Sequence, residues 1–244
     1  MNNLFSLETF KAFSLEHIII LIIFSVIIFG IGFLANRFKD NHSALVLITK
    51  ALIAITIFQE ICDYLNRYIN GTISLSVDLP FHICNYVLFM SILALYNKNK
   101  YLFNFCYFNA FSGALMANIT PDLDGVTGNL GVFFFFLHHF LIIINVIWMI
   151  YAFDMVPDFK GIISTVVLLN IIAVPVALVN SLICKLGFGY ANYMYLREPP
   201  PINNPFLIGE GGRYILSMEI IAILIFVILL LPFKISKYFK SNSV

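Results

Sequence analysis

The chain consists mainly of long apolar runs separated by short polar segments. Seven runs are predicted to be helices, and each is long enough to cross a bilayer, which takes about 20 residues. They cover residues 15–35, 43–65, 76–96, 101–120, 130–153, 161–186 and 213–233. The pattern predicts an all-α integral membrane protein, a single polytopic domain over residues 1–244 built as a bundle of seven transmembrane helices.

Two segments depart from this simple pattern. The third run carries Asp78, Pro80, His82 and Asn85 in its first half, so a tilted or partly re-entrant helix is also compatible with it. The longest connection, 187–212, contains three consecutive prolines, which exclude a helix there. We expect it to form an ordered loop over the outer mouth of the bundle.

Composition excludes a water-soluble fold. Hydrophobic residues make up 61% of the chain and charged residues 11%, with a mean hydropathy of +0.94, against about 25% charged in soluble domains. The net charge of +1 argues against a nucleic-acid partner, which would need a clustered basic stripe. The four cysteines fall in or at the ends of apolar runs, which indicates free thiols, and no cofactor is indicated. Frequent Ile, Asn, Lys and Phe suggest the plasma membrane of a low-GC bacterium.

The basic residues predict the orientation of the helices, because Lys and Arg are enriched in cytoplasmic flanks. With seven helices, the two ends of the chain lie on opposite sides. One side carries Arg37, Lys39, Lys98, Lys100, Lys160, Lys234, Lys237 and Lys240. The other side carries Lys11, Arg67, Lys185, Arg197 and Arg213. The bias places the N-terminus outside and the C-terminus inside.

In this orientation most polar residues of the helices fall near the outer surface. Such residues usually face the interior of a bundle or a water-filled cavity, because exposing them to lipid is costly. Adjacent helical residues point about 100° apart, so at most one of His138 and His139 can be central to a shared pocket. We expect His82 and His139 to face one cavity. Its expected lining and mouth comprise Glu60, Asn85, Asp122, His138, Asn192 and Tyr193.

Five motifs resemble a known family in order and spacing: QEICDY, LPFHICN, GALMANITPD, FLHHF and NYMYLREPP. They are similar to the YwaF-like bacterial integral membrane family over about residues 15–230. More distantly, they are similar to an animal family of transmembrane cysteine acyltransferases that remodel ether phospholipids. The resemblance implies that His82 and His139 match that family's histidines. The position that matches its nucleophile is Phe81, and the nearby thiol is Cys84.

The first functional hypothesis is therefore acyl transfer to or from membrane lipids or lipoproteins. A neighbouring base can activate a cysteine as a nucleophile, which makes Cys84, His82 and His139 the candidate catalytic residues. On one helix His82 and Cys84 lie about 200° apart, so His139 is the better base. Asp122 or Glu60 would then orient it.

Two alternatives have a different chemistry. A metal-dependent lipid hydrolase would take His82, His138 or His139 and one of Asp63, Asp78 and Asp122 as ligands. A binding or transport protein would use the same outward-facing polar cavity without chemistry. Helix-breaking prolines are typical of transporters, and Pro80 and Pro175 occur in two of the predicted spans.

The orientation can be tested by cysteine accessibility in a background without native cysteines. We expect Lys240→Cys to resist a membrane-impermeant thiol reagent added to intact cells, because the C-terminus lies inside, whereas Lys11→Cys reacts. Labelling of Lys240→Cys in intact cells would refute the predicted topology.

Overall fold

The computed structural model describes residues 5–8, 10–199 and 209–242, with side chains up to Ile235. These residues form seven helices and no strand. The helices are α1 (Leu15–Phe38), α2 (His42–Ile69), α3 (Ile83–Asn97), α4 (Lys100–Asn109, continuing through Ala110–Ala114 and Leu115–Ile119), α5 (Gly128–Ala152), α6 (Phe159–Lys185) and α7 (Gly211–Asn242). The prediction of an all-helical protein is confirmed, and that all seven helices cross a membrane stays a prediction.

Five of the described helices are long and apolar enough to cross a bilayer: α1, α2, α5, α6 and α7 up to Ile235. Helix α3 is apolar but has only 15 residues. Helix α4 contains a π-helical turn at Ala110–Ala114, a rare feature that is frequent near functional sites. These helices define a multi-pass membrane protein, and the side of the membrane on which each end lies stays a prediction.

The predicted start of the third helix is wrong. Helix α3 begins at Ile83 and not at residue 76. The carboxylate of Asp78 accepts a 2.7 Å hydrogen bond from the backbone N–H of Ser74, which closes a turn. Leu79 precedes Pro80, and a residue before proline avoids the helical conformation. Pro175, by contrast, lies inside the continuous helix α6.

The chain divides into two compact units. The first comprises residues 1–73 and 84–155, with helices α1 to α5. The second comprises residues 74–83 and 156–244, with α6, α7 and a short 3₁₀ turn at Tyr193–Tyr195. A single domain with the 187–212 loop over its outer mouth stays a prediction, and residues 200–208 of that loop lie outside the described part.

Helix α5 is the centre of the first unit, because it packs against α1, α2 and α4. Its Phe140 ring stacks on Phe24 of α1 with ring centres 4.1 Å apart. At one end of α1 the fully buried His17 accepts a hydrogen bond at Nδ1 from the backbone N–H of Phe13. Its Nε2 therefore carries the proton and donates to the carbonyl of Asn118 at 2.8 Å. His17 thus joins α1 to the end of α4.

Polar contacts fix the register of α2 against α5. The indole N–H of Trp148 donates to the hydroxyl of Thr49 at 2.9 Å. Two turns further along α2, the amide of Asn145 donates to the hydroxyls of Thr56 at 3.2 Å and of Ser91 on α3 at 2.9 Å. Each of these two hydroxyls donates to a backbone carbonyl of its own helix. The Asn145 amide therefore joins three helices inside the apolar core.

In the second unit α6 packs against α7. The amide of Asn170 on α6 donates to the carboxylate of Glu219 on α7 at 2.8 Å. Asn180 on α6 holds the 3₁₀ turn, because its side chain accepts from the backbone N–H of Tyr193 at 2.9 Å and donates to the carbonyl of Tyr193 at 3.0 Å. The second unit thus keeps its own polar contacts.

A double-mutant cycle can measure the contact between α2 and α5. We expect Asn145→Leu and Thr56→Val to show a coupling free energy of unfolding of about 0.6 kcal/mol and at most about 1.7 kcal/mol, the range found for hydrogen bonds inside membranes. The measurement is reversible unfolding in mixed detergent micelles. The control cycle pairs Asn145→Leu with Thr49→Val, which share no hydrogen bond and should be additive. Equal coupling in both cycles would contradict the observed network.

Candidate functional site

A histidine–carboxylate pair lies between α2 and α5. Nδ1 of His138 is 2.5 Å from Oε1 of Glu60, and the two side chains are 11% and 10% exposed. A carboxylate accepts, so Nδ1 donates to Glu60, and proton exchange with a reacting group would take place at Nε2. The His138 ring also interacts with the backbone of Cys84, the second residue of α3. The pair therefore has the histidine and carboxylate arrangement of a general base with its orienting acid.

Two further charged groups continue from this pair along α2. Nε of Arg67 is 3.1 Å from Oδ2 of Asp63, one turn away on the same helix. Asp63 also interacts electrostatically with Glu60 and with His138. Each carboxylate is thus paired with a basic side chain, Glu60 with His138 of α5 and Asp63 with Arg67 of α2. This pairing lowers the free-energy cost of keeping charged groups in an apolar region.

The loop between α4 and α5 is tied to the same end of α2. A guanidinium nitrogen of Arg67 donates to the carbonyl of Gly125 at 3.4 Å, and the amide of Asn66 donates to the carbonyl of Thr127 at 3.1 Å. Gly131, in the first turn of α5, lies so close to Val126 that a Cβ there would be 2.9 Å from its side chain. These contacts fix the start of α5, and with it the position of His138.

His139 has a different environment from its neighbour. Its Nδ1 lies 2.7 Å from the carbonyl of Phe135, so Nδ1 donates, and its ring lies 4.5 Å from the Phe135 ring. Glu60, one of the two acidic residues that we expected to orient His139, forms its hydrogen bond with His138 instead. The physical reason is the 100° step between adjacent helical residues, which lets only one of the two imidazoles meet Glu60.

His82 belongs to the second unit. Its ring lies 5.1 Å from that of Tyr193 and 6.0 Å from that of Tyr195, and the ring of Phe81 meets Tyr193 edge to face at 5.7 Å. The position matching the family's nucleophile is therefore filled by an aromatic packing residue. That His82 and His139 face one cavity stays a prediction.

Tyr193 is fully buried, and its hydroxyl links two parts of the second unit. It donates to the carbonyl of Leu75 at 2.9 Å and accepts from the backbone N–H of Leu79 at 2.9 Å. Asn192 closes its own loop, because its Oδ1 accepts from the backbone N–H groups of Arg197 and Glu198. Both residues therefore make structural contacts, and their role in substrate binding stays a prediction.

The remaining predicted residues lie in the first unit. Cys84 and Asn85 are half-buried in the first turn of α3. Asp122 lies between α4 and α5, where Oδ1 accepts from the backbone N–H of Asp124 at 3.2 Å. All four cysteines are free, as predicted. Among the described side chains, no hydrogen bond joins the Cys84 thiol to an imidazole.

The predicted metal ligands do not form a cluster in the described part of the chain. No group of three or more His, Cys, Asp or Glu residues there could hold a metal ion. The metal-dependent hydrolase therefore stays an alternative without geometric support.

Sequence reasoning missed one residue next to the site. Gln59 is 2% exposed and directly precedes Glu60. The signal was present in the spacing of polar residues along α2: Thr56, Gln59, Glu60 and Asp63 recur every three or four positions, which places them on one helical face.

The fold and the site define a multi-pass α-helical membrane protein with a site of histidine and carboxylate groups between its helices. The chain belongs to the TMEM164 family, whose model matches residues 12–230. This membership is consistent with the distant similarity to an animal transmembrane acyltransferase, whereas the YwaF-like bacterial label stays a prediction. No curated protein and no solved structure matches the chain.

Loss of the carboxylate at the site should destabilise the protein. We expect Glu60→Gln to lower the free energy of unfolding by about 1.5–3 kcal/mol, the usual worth of a hydrogen bond to a charged group. The double variant Glu60→Gln with His138→Gln should cost less than the sum of the two single changes. The control is Glu210→Gln, which makes the same chemical change at an exposed position. Equally small effects at positions 60 and 210 would mean that the Glu60–His138 pair contributes nothing to the free energy of unfolding.

Proposed function

We propose that this protein is a membrane-embedded acyltransferase-like enzyme that acts on lipid or lipoprotein acyl chains at the outer leaflet of a bacterial plasma membrane. The observation that carries the proposal is the Glu60–His138 pair, which lies beside the backbone of Cys84 within apolar helices. A carboxylate-oriented imidazole next to a thiol is an arrangement that can activate the thiol. Membership of the TMEM164 family supports the same class of activity.

In the first step of the proposed reaction, Cys84 takes the acyl group from a donor ester. The thiol proton moves to Nε2 of His138, and the sulfur attacks the ester carbonyl. The new C–S bond forms as the ester C–O bond breaks, and the leaving oxygen takes the proton from Nε2. Glu60 orients the ring and stabilises the imidazolium while it carries the proton.

In the second step an acceptor hydroxyl replaces the donor. It gives its proton to Nε2 of His138 and attacks the thioester carbonyl, so that a C–O bond forms and the C–S bond breaks. The thiolate of Cys84 then regains the proton. The acyl group moves from one oxygen to another, and no redox partner or further reactant is needed.

The absence of a thiol–imidazole hydrogen bond among the described residues is compatible with this proposal. Catalytic hydrogen bonds are often long without substrate and shorten only in the reactive complex. Cys84 is in the first turn of α3, and its own backbone interacts with the His138 ring. The first step requires the Cys84 thiol to reach Nε2 of His138, whose ring already interacts with the Cys84 backbone.

The proposal predicts a covalent intermediate. Purified protein incubated with a phospholipid that carries a labelled acyl chain should acquire label that hydroxylamine removes, because hydroxylamine cleaves thioesters. We expect Cys84→Ala to abolish this label. His138→Gln should slow its formation by about 10²–10⁴-fold, the usual contribution of a general base.

Two matched controls distinguish the alternatives. Cys62→Ala removes another half-buried thiol and should leave the label unchanged. His139→Gln decides which of the adjacent histidines is the base, and we expect a smaller effect than at His138. Label that persists in Cys84→Ala, or that never forms in the native protein, would rule out the cysteine mechanism.

A further inference from the structure

Helices α6 and α7 carry a polar pair deep inside their apolar spans. Glu219 is the only charged residue at positions 214–233 of α7, and positions 161–184 of α6 contain none. The amide of Asn170 donates to the Glu219 carboxyl group at 2.8 Å. Asn170 lies eleven positions from the start of α6 and fifteen from its end, which corresponds to about 16 and 22 Å at 1.5 Å per residue. The pair is therefore far from both ends of α6.

Each member of this pair keeps an oxygen without a partner in the described part of the chain. The Asn170 amide nitrogen also donates to the carbonyl of Val166 at 3.0 Å, so both of its hydrogens are used, whereas Oδ1 of Asn170 and Oε2 of Glu219 receive no hydrogen bond there. Asn170 is exposed, and Glu219 is half-exposed. Lipid chains offer no hydrogen-bonding group, and polar side chains in a span usually face protein or a water-filled cavity. A partner with polar groups at this depth is therefore expected.

The surface of α6 beside Asn170 suits a second helix. Val174, Ala177 and Ser181 are exposed and follow Asn170 at steps of four, three and four residues, which places all four on one helical face. Ala177 and Ser181 are small, and small residues let membrane helices approach closely. This face thus combines a polar pair with room for a neighbouring backbone, as helix contacts inside membranes do.

The polar pair is complementary to a second copy of itself. An ionised carboxylate accepts from an amide N–H, and a protonated carboxyl group donates to an amide oxygen, so an amide and a carboxyl group match in either protonation state. Copies of one chain insert in the same orientation, because the same basic flanks direct each of them. A two-fold axis along the membrane normal then places the Asn170–Glu219 pairs of two copies at the same depth.

We propose that this protein forms a symmetric dimer in the membrane through the α6 face of Asn170, Val174, Ala177 and Ser181, and that the Asn170–Glu219 pairs of the two copies bond to each other. The partner is thus a second copy of this chain. The two-fold axis makes every contact occur twice. The inference rests on residues of the second unit and does not depend on the proposed reaction.

The test measures the dimer Kd of the full chain in liposomes, from energy transfer between copies that carry donor and acceptor fluorophores, over a range of protein-to-lipid ratios. Val174→Trp adds bulk to the proposed face and leaves the polar pair intact. We expect it to weaken the dimer about 10-fold or more, because overpacking of a close contact costs at least that factor. The matched control is Val26→Trp in the middle of α1, where the valine is 66% exposed against 65% for Val174. This control should leave the Kd unchanged.

The polar pair has a test of its own. Glu219→Leu should weaken the dimer about 10-fold, because two symmetric contacts of the size measured inside membranes are lost. Glu219→Gln keeps an acceptor and adds a donor, so its Kd should stay within about 3-fold of the native value. If Glu219→Leu fails to fold because α6 and α7 lose their own contact, the comparison of Val174→Trp with Val26→Trp still decides whether this face forms the dimer.

Each outcome supports or overturns the inference. A weaker dimer in Val174→Trp and in Glu219→Leu, with both controls close to the native protein, supports it. A native protein that stays monomeric at every protein-to-lipid ratio overturns it, and so does a dimer that Val174→Trp leaves unchanged. A dimer that Val174→Trp weakens but Glu219→Leu does not overturns the part assigned to the polar pair, and lipid headgroups or water then solvate that pair.

Discussion

The structure of the first unit depends on the cost of leaving a polar group unpaired in an apolar surrounding. Helices α2 and α5 meet that cost with a series of contacts that begins at Thr49 and Trp148 and ends at Asn66 and the loop before α5. Seventeen residues of α2 separate the two ends, which corresponds to about 26 Å at 1.5 Å per residue. That length approaches the thickness of the hydrocarbon layer. The polar seam therefore fixes the register of α2 on α5 over most of a membrane span.

This register decides which histidine meets the carboxylate. The contacts at Trp148 and Asn145 set the rotation of α5, and Glu60 then lies level with His138. His139 points away by one helical step and turns its Nδ1 to a carbonyl of its own helix. The chemistry available at the site thus follows from hydrogen bonds that lie one to three turns away from it. A change in those distant contacts would alter the site without touching it.

Much of the fold could be predicted from the sequence, because long apolar runs have few alternatives to a helix in a membrane. The bounds of six helices agree with the predicted runs within four residues at all but one end, where α7 continues beyond residue 233. The start of α3 could not be predicted by hydropathy, since the turn at Asp78 and the proline at position 80 interrupt an otherwise apolar segment. The partner of Glu60 could not be predicted either. Two adjacent histidines have the same hydropathy and the same depth, and only the rotation of α5 distinguishes them.

A purely structural role is the main alternative to a catalytic role for the Glu60–His138 pair, because polar contacts also hold membrane helices together. The Asn145 contact with Thr56 and Ser91 illustrates that role, since it joins three helices and uses both donors of the amide. The surroundings of Glu60 differ. Gln59, beside it, has neither its donor nor its acceptor satisfied within the described chain, although it is 2% exposed. Oδ1 of Asn145 is also without a partner among the described residues, so the feature that distinguishes the surroundings of Glu60 is the imidazole of His138, a group that can exchange a proton.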